Sequence, residues 1–447
     1  MRADVVVVGA GPAGCVMARR LAEAGADVVL LEAGDHVASS RAGLLDVGPD
    51  SPVVTRHRAR LGDTVLELPR GRTLGGSGAV NGGYCVAARP SDLVSWGPDW
   101  PRRYAVGLAR AAERLRPTLA PMDPVAARVA AAFPGRVSAV AQARRGARRV
   151  TAFDAWDPPG AGVRVRTGAR VARLSWADGA VGGRCDGVVL AAASGSAGGG
   201  DDDNAAGEVV AADLVVLCAG TIGSAVLLRN SGLGESTGHP VGERVQEHPE
   251  VLLDLPAGVA ADVSFDHGVT AHRGTGPGDA ALVPLLSHVI RLGLDEAPGP
   301  TGPEAPEIEV RPYAVPLHHV IPGVDPMPLR VGVALMNPLG YGRIAADGTV
   351  FLPDDPRDAA SLSAAAAIVA DRLGLGEAEP VPSTSQHLSG SARIGEVVDH
   401  TGRVMGVDGL YVADASVLPT LPRCGPYYTV LAVAEALAAG LTAERPW

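Results

Sequence analysis

The feature that most constrains this chain is a glycine-rich segment near its start, GAGPAG at residues 9–14. It follows a run of valines at residues 5–8 and precedes apolar residues at helical spacing over residues 12–24. A second candidate strand, residues 27–31, ends before Glu32. A continuous β-branched run is typical of a strand buried on both faces of a parallel sheet. The sequence therefore predicts a strand–turn–helix–strand unit that begins an α/β fold with a doubly wound sheet.

This unit carries the fingerprint of dinucleotide binding. Gly11 lets the backbone approach a pyrophosphate, and the first turn of the helix offers unpaired N–H groups and the positive end of the helix dipole. Glu32 can accept hydrogen bonds from the hydroxyl groups of a ribose, and its charge would repel a 2′-phosphate. A purely structural glycine turn is the alternative.

The charged residues exclude several classes of function. All 39 basic residues are arginine, because the 447-residue chain has no lysine. A Schiff base on the protein and a P-loop or kinase-type lysine are therefore excluded. The formal net charge of −10 and the lack of a long basic run argue against a nucleic-acid partner.

The cysteines and the apolar runs indicate where the protein works. The five cysteines are odd in number and form no C-x-x-C motif, which predicts free thiols in a reducing cytoplasm. The first residues lack the pattern of a signal peptide. No apolar run approaches the roughly 20 residues of a membrane helix. We expect a cytoplasmic protein without an integral membrane segment.

The remaining pattern gives a coarse element order. Residues 34–69 are expected to be an irregular connection, and residues 163–176 a single strand. Residues 187–193, 208–217 and 409–415 are expected as further strands, and residues 106–116, 125–132, 361–373 and 426–441 as helices. The Gly- and Asp-rich segment at 195–207 is expected to be a solvated hairpin tip, with a metal site at Asp201–Asp203 as the alternative.

Four further segments are distinctive. Residues 70–84 (RGRTLGGSGAVNGGY) form a second glycine cluster, and residues 218–234, 240–249 and 387–416 follow. In this order they resemble the signatures of the glucose–methanol–choline (GMC) flavoprotein oxidoreductases. The resemblance spans nearly the whole chain apart from about residues 251–335, where a substrate domain should diverge.

The resemblance implies a doubly wound, Rossmann-like FAD-binding domain formed by residues 1–90, 150–250 and 385–447. Residues 91–149 and 251–384 would supply cap segments and a substrate-binding domain with an antiparallel sheet. In some members a histidine just before the position of Asn81 bonds covalently to the flavin. Val80 stands there, so we expect non-covalent FAD and no metal.

The resemblance also assigns cofactor positions. Glycines of the first motif would hold the pyrophosphate, Glu32 would bind the adenosine ribose and the Val171 backbone would contact the adenine. Residues 75–81 would run past the flavin ring, and residues 414–415 would lie at the ribityl–pyrophosphate linkage. The full set expected to contact FAD is Gly9, Gly11, Pro12, Ala13, Gly14, Glu32, Ala33, Arg72, Leu74, Gly75, Gly76, Gly78, Ala79, Asn81, Gly82, Val171, Ala219, Asp414, Ala415, Pro426 and Tyr427.

His387 is the expected catalytic base, because the resemblance places it at the flavin N5, where a neutral imidazole takes the hydroxyl proton of an alcohol. The second catalytic position, usually His or Asn, falls at Gly425 or Pro426, which lack a suitable side chain. The candidate substitutes are Tyr427, Tyr428, His318 and His319, whereas His248 is expected to be structural. With no lysine, an arginine or the start of the last helix would meet the charge of a reduced flavin.

The activity implied by the resemblance is FAD-dependent oxidation of a small-molecule alcohol, with a dehydrogenase favoured over an oxidase. Residues 48–54 and 78–84 resemble the mycofactocin-associated branch. That branch implies reduced mycofactocin as donor, an unidentified respiratory electron acceptor and a location peripheral to the membrane. The alternatives are an oxidase that uses O2, a lyase with structural FAD and an electron-transfer protein with a decayed site. An NAD-only dehydrogenase would leave residues 70–84 and 387–416 unexplained.

Overall fold

The computed structural model describes residues 1–192, 207–256, 284–293, 305–445 and 447. Its helices are α1 (Pro12–Glu23), α2 (Pro90–Leu93), α3 (Trp100–Leu115), α4 (Pro124–Ala132), α5 (Ala152–Trp156), α6 (Gly220–Asn230), α7 (Pro356–Leu373) and α8 (Pro426–Glu444). Its strands are β1 (Arg2–Val8), β2 (Val28–Leu31), β3 (Val54–Leu61), β4 (Thr64–Gly71), β5 (Tyr84–Cys85), β6 (Val137–Ala139), β7 (Ala141–Gln142), β8 (Arg144–Arg145), β9 (Arg148–Arg149), β10 (Arg164–Arg166), β11 (Val171–Trp176), β12 (Cys185–Leu190), β13 (Val209–Leu217), β14 (Pro249–Asp254), β15 (His288–Leu292), β16 (Ile308–Pro312), β17 (Arg330–Leu335), β18 (Arg343–Ile344), β19 (Val350–Phe351), β20 (Val381–Thr384) and β21 (Leu410–Val412).

The predicted α/β fold is confirmed by the first sheet. Its strand order is β10-β2-β1-β13-β12-β11, with β21 also paired to β13. Strands β10, β2, β1, β13 and β21 run parallel to one another. Strand β12 is antiparallel to both of its neighbours, β13 and β11. The register pairs Val8 with Leu31 and with Leu217. Three strands therefore end at one edge of the sheet, where Gly9, Glu32 and Cys218 follow them.

The second sheet is the antiparallel sheet expected of the substrate part. Its order is β20-β14-β17-β16-β15-β6, and every neighbouring pair is antiparallel. One face packs on α4 and α7 in a core of its own, which includes Phe133, Val331 and Val369. Strand β14 begins at Pro249, directly after His248, and β20 ends three residues before His387. This sheet therefore delivers both histidines to the same region.

The prediction of an irregular connection at residues 34–69 is wrong for its second half. Strands β3 and β4 form a hairpin with Leu61 opposite Thr64, and β18 and β19 extend it into a four-stranded sheet. The hairpin was hidden by its polar surface, since only Ala59 and Leu68 of these strands are buried. The two-residue Gly-Asp loop at 62–63, with Gly62 at a φ of +54°, was the available signal.

The prediction of one strand over residues 163–176 is also wrong. The structure has two strands there, and they are the two outermost strands of the first sheet. Gly168, at a φ of +63°, lies between them. A left-handed residue interrupts an extended chain, so the polypeptide leaves the sheet after β10 and returns as β11.

Helix α3 joins the core of the first sheet and not that of the second. Trp100, Tyr104 and Leu115 are buried in the same core as Leu431 of α8. The two helices pack closely because a Cβ on Gly107 would lie 2.0 Å from the carbonyl oxygen of Ala432. The predicted division, which placed residues 91–149 among the cap segments and the substrate-binding domain, stays a prediction.

Two expectations concern absences, and a third concerns a loop. Within the described ranges, none of the helices combines the length and apolar character needed to cross a bilayer. The same ranges contain no group of three or more His, Cys, Asp or Glu side chains that could hold a metal ion. The expected loop at 195–207, with its three aspartates, lies outside the described residues except for Gly207.

Candidate active site

The first glycine motif forms a tight turn against the end of β13. Gly9 has a φ of +97°, and a Cβ there would lie 2.5 Å from the carbonyl oxygen of Cys218. A Cβ on Gly14 would lie 1.8 Å from the carbonyl oxygen of Gly9, so both positions require glycine. At Gly11 the nearest neighbours would be 3.9 Å away, and no side chain caps the start of α1. The helix therefore presents uncapped N–H groups beside an open space, as a pyrophosphate requires.

The Glu32 carboxylate stabilises this turn through two hydrogen bonds. Its Oε2 accepts a hydrogen bond from the Ala10 N–H (2.9 Å), and its Oε1 accepts one from the Gly34 N–H (2.9 Å). Burial raises the pKa of this carboxyl, although the two backbone donors oppose the shift. Each oxygen retains a lone pair, so the expected contact with ribose hydroxyls stays compatible with these bonds.

The segment before Val171 lies beside Glu32. The Ala169 N–H donates to the carbonyl oxygen of Glu32 (2.8 Å), and the Gly168 N–H donates to that of Gly34 (3.1 Å). The residues expected to bind ribose and adenine therefore belong to one neighbourhood of the sheet edge. The Asp414 carboxylate joins the same edge from β21, since its Oδ2 accepts from the Gly220 N–H (2.8 Å) and the Ser224 hydroxyl (2.6 Å).

The second glycine cluster packs directly on the first. A Cβ on Gly76 would lie 2.6 Å from the Gly11 Cα, and the Gly75 N–H donates to the carbonyl oxygen of Ala10 (2.8 Å). A Cβ on Gly78 would lie 2.9 Å from the ring of Tyr427. The two motifs and the start of α8 are thus brought together, although they are far apart in the sequence.

Arg149 anchors the second cluster and was missed by the sequence reasoning. It is 3% exposed. Its guanidinium donates to the Leu44 carbonyl oxygen (2.8 Å) and to Asn81 Oδ1 (3.3 Å). Burial lowers its pKa, and no carboxylate pairs with it among the described residues. Nothing in the sequence singles it out, because it lies in an arginine-rich stretch.

His387 lies where the two sheets meet. Its Nδ1 is 2.9 Å from Nδ1 of His248, and the two rings are nearly perpendicular at 87°. A Cβ on Gly425 would lie 3.4 Å from His387 Nε2, so the structure brings the two predicted catalytic positions together. Desolvation, then the nearby His248, Arg311 and Arg70, lower the pKa of His387 well below its usual range. The imidazole is therefore neutral at physiological pH.

Glu247 holds the histidine pair, His248 and His387, through their backbones. Its Oε1 accepts the N–H of His248 (2.9 Å) and that of His387 (2.6 Å). Burial raises the pKa of Glu247 to about 7, and Arg70 opposes the shift. Neither Glu247 nor His248 was among the predicted functional residues. The signal was present, because both stand in the segment 240–249 that carried the family resemblance.

The other candidates for the second catalytic group lie apart from His387 or make no bond to it. Tyr428 packs in the main core, and Tyr427 faces Gly78. His318 contacts His319 and accepts the Met327 N–H (3.1 Å) at Nδ1. Within the described part of the chain, none of these four side chains forms a hydrogen bond with His387. They stay predictions without a supporting contact.

A buried polar cluster on the second sheet faces this region. Arg311 donates to Glu250 Oε2 (2.8 Å) and to the Ser385 hydroxyl (2.6 Å), and the Tyr313 hydroxyl donates to Glu250 Oε1 (2.7 Å). Sequence reasoning missed the cluster because Arg311 and Tyr313 fall in the stretch without a motif. Arg311 also pairs with Glu309, which in turn pairs with Arg291, so two arginines and two carboxylates nearly cancel in charge. The cluster therefore suits a neutral polar molecule beside His387.

Comparisons with known proteins agree with this geometry. The model of the GMC oxidoreductase N-terminal domain matches residues 133–250, and that of the C-terminal domain matches residues 355–434. A model of the NAD(P)-binding Rossmann-like domain matches residues 7–54. The chain belongs to the GMC oxidoreductase family. It is therefore an oxidoreductase, and FAD is its cofactor.

Several GMC proteins resemble the whole chain. An uncharacterized GMC-type oxidoreductase of Rhodococcus erythropolis is 29% identical, with 99% of each chain covered. The structure of pyridoxine 4-oxidase from Mesorbium loti superposes with a TM-score of 0.73 at 22% identity, over 98% of each chain. A fungal aryl-alcohol oxidase superposes with a TM-score of 0.71 at 18% identity, over 99% of each chain. At these identities the two structures show a shared fold.

The residues present fit FAD. Several buried polar atoms without a hydrogen-bond partner lie on the segments that carry the GMC motifs, and they belong to Arg70, Tyr84, Glu247, His248, Ser389, Arg393 and Ser416. Arg149 and Tyr427 contribute two more beside the second glycine cluster. Buried polar groups are normally satisfied, so such a set indicates that a polar molecule completes the site. The uncapped start of α1 suits the pyrophosphate, and the glycines at 75, 76 and 78 leave room for a planar ring.

Proposed function

We propose that this GMC oxidoreductase oxidises an alcohol, with His387 Nε2 as the acceptor of the hydroxyl proton. The observation that carries the proposal is a neutral imidazole whose Nε2 faces a position without a side chain, Gly425. A substrate hydroxyl can therefore reach Nε2 without displacing a protein group. The aryl-alcohol oxidase among the structural neighbours supports an alcohol as the donor.

The chemistry divides between cofactor and protein. When bound, FAD accepts a hydride from the carbon that carries the hydroxyl group. The chain's part is to orient that carbon, exclude water and take the proton at Nε2. A neutral base is required, because an imidazolium has no lone pair, and the lowered pKa of His387 supplies it.

For cofactor binding, the start of α1 would hold the pyrophosphate and Glu32 the ribose. Residues 75–82 would face the flavin, with Arg149 behind them. The start of α8 at Pro426 has no side-chain cap, so its N–H groups can offset negative charge that develops on the flavin. In a chain without lysine, this helix start and the buried arginines are the cationic elements of the site.

The finer identity of the reaction is also a proposal. We propose a dehydrogenase that passes electrons to a carrier other than O2, with reduced mycofactocin as a candidate donor on the strength of residues 48–54 and 78–84. A lyase with structural FAD is the competing function. It is favoured by Gly425, since the usual second acid–base side chain is missing there.

Anaerobic mixing of the purified holoenzyme with a panel of alcohols, including reduced mycofactocin, tests the proposal. We expect at least one alcohol to bleach the flavin absorbance. The variant His387→Ala should bind FAD normally and reduce it about 10²–10⁴-fold more slowly, the range of general-base catalysis. Product formation without bleaching would instead establish the lyase. Near-normal reduction in His387→Ala would refute the assigned base. A comparison of how fast air and a dye reoxidise the reduced flavin then distinguishes an oxidase from a dehydrogenase.

A further inference from the structure

The contact between His248 and His387 determines which of their ring nitrogens carry hydrogen. His248 is fully buried, with 0% of its surface exposed, and its Nδ1 lies 2.9 Å from His387 Nδ1. Two neutral imidazoles at this distance share one hydrogen, so one Nδ1 donates and the other accepts. Which one donates decides whether His387 Nε2 carries a lone pair or a hydrogen.

The surroundings of the two rings bear on the choice between these arrangements. Burial and then Arg311 lower the pKa of His248 to about 3, and the backbone carbonyls of Met336 and Pro422 only partly oppose the shift. Carbonyls only accept, and Nδ1 of His248 is engaged by His387, so Nε2 is the nitrogen that can point a hydrogen towards them. Neither carbonyl completes a hydrogen bond of standard geometry with Nε2. The geometry at His387 decides the choice: its Nε2 faces the open space beside Gly425 and needs a lone pair for the proposed reaction, so Nδ1 of His387 donates and Nδ1 of His248 accepts.

We propose that His248 is a positioning residue that holds His387 with Nδ1 protonated and Nε2 free, and that it takes the Nδ1 proton when Nε2 becomes protonated. Both parts rest on the proposed alcohol oxidation. His248 thereby supplies part of the acid–base function of the side chain that is missing at Gly425, although it contacts Nδ1 of the His387 imidazole and not Nε2.

The proton transfers balance as follows. The substrate O–H bond breaks and a bond from hydrogen to His387 Nε2 forms. At the same time the Nδ1–H bond of His387 breaks and an Nδ1–H bond on His248 forms. Bound FAD would supply the oxidant that accepts the hydride, so the alcohol becomes a carbonyl compound and the positive charge rests on His248. After product leaves, the proton returns to His387 Nδ1, and the proton on Nε2 is released to solvent.

The charged groups around the pair permit this shift. Arg311 opposes a cation on either ring and Arg70 opposes one on His387, and both account in part for the low pKa of His387. The Glu247 carboxylate contacts the backbones of both histidines, and Glu250 neutralises Arg311 at 2.8 Å. At His248 burial and Arg311 lower the pKa to about 3, and the backbones of Met336 and Pro422 partly oppose this, so the charge rests there only while Nε2 of His387 is protonated.

The test compares the wild-type holoenzyme with His248→Asn and His248→Leu. The side-chain oxygen of asparagine can replace Nδ1 as acceptor but cannot take a proton, whereas leucine removes the acceptor. The first measurement is the set of 15N chemical shifts of the imidazole nitrogens in histidine-labelled resting enzyme, with the His387 signals assigned by their loss in His387→Ala. The second is the rate of anaerobic flavin reduction by a reactive alcohol.

We expect His387 to show a protonated Nδ1 and an unprotonated Nε2 in the wild type and in His248→Asn. In His248→Leu the Nε2–H tautomer should become the major form. Flavin reduction should slow about 10-fold in His248→Asn and about 100-fold in His248→Leu, within the usual range for acid–base groups. Unchanged FAD content and thermal unfolding would show that the variants fold.

Two results would overturn the proposal: an Nε2–H tautomer of His387 in the wild type, or a wild-type rate of flavin reduction in His248→Leu. If leucine prevents folding, the wild-type tautomer and the Asn variant decide. The tautomer is measured without any alcohol, so failure of the proposed function is distinguishable. In that case no alcohol bleaches the flavin, while the resting tautomer still confirms or refutes the positioning role.

Discussion

A side chain at Gly425 would touch His387, because a Cβ built there lies 3.4 Å from Nε2. The backbone at Gly425, with φ −58° and ψ 128°, suits any residue, so glycine is not required for folding. We infer that the small residue keeps space open for substrate beside the base. The position thus offers a direct handle on substrate size.

Gly425→Asn should lower kcat/KM for alcohols that are bulky at the carbinol carbon by about 10-fold, equivalent to about 1.4 kcal/mol. Small primary alcohols should change less than about 3-fold, because they leave room for the amide. The measurement is steady-state kinetics across a size series, with Gly425→Ala as the matched control. An equal loss for all sizes would show that the space beside Gly425 does not receive the substrate.

Glu247 should make stability depend on pH. Burial raises its pKa from 4.5 to about 7, so between these values the folded state binds more protons than the unfolded state. This contribution to stability is complete below pH 4.5 and is lost as the pH rises through 7. At about 1.4 kcal/mol per pH unit, the loss amounts to at most about 3 kcal/mol.

The variant Glu247→Gln keeps an oxygen that can accept both backbone N–H groups but cannot ionise. We expect the free energy of unfolding, from denaturant titrations at pH 5 and pH 8, to fall less with pH in this variant than in the wild type. Parallel pH profiles for the two proteins would contradict the elevated pKa of Glu247.

Arg149 should support FAD binding without touching substrate. Its guanidinium joins Leu44 to Asn81 in the segment that faces the cofactor. Arg149→Met should weaken FAD binding about 10-fold, equivalent to about 1.4 kcal/mol. Titration of the apoprotein with FAD measures this, and Arg148→Met is the control, because Arg148 is exposed. Equal affinities in both variants would contradict the role.

FAD should leave the protein when it is denatured. Val80 occupies the position at which a histidine bonds to the flavin in other members, and valine cannot form that bond. Precipitation with acid or heat should release yellow flavin into the supernatant, as absorbance near the flavin maximum would show. Flavin that remains with the pellet would reveal a covalent link through another residue.

The parts of the site that sequence could predict are those set by local chemistry. Gly9 has a φ of +97° and Gly14 packs against the carbonyl oxygen of Gly9, so local geometry requires both glycines, and His387 stands in a segment with its own signature. The histidine pair could not be predicted, because His248 and His387 are 139 positions apart and meet only when two sheets assemble. The hairpin of β3 and β4 was missed because its strands expose polar side chains and lack a buried alternation.

Glu247 fixes both histidines through main-chain N–H groups, and the consequence concerns how such an enzyme can change during evolution. Main-chain donors are the same for every residue type, so the spacing of the acid–base pair does not depend on the side chains that line the substrate space. Substitutions at positions such as Gly425 or on the second sheet can then alter which molecules enter while the proton-transfer geometry is inherited unchanged. A family with one cofactor chemistry can diversify its substrates on that basis.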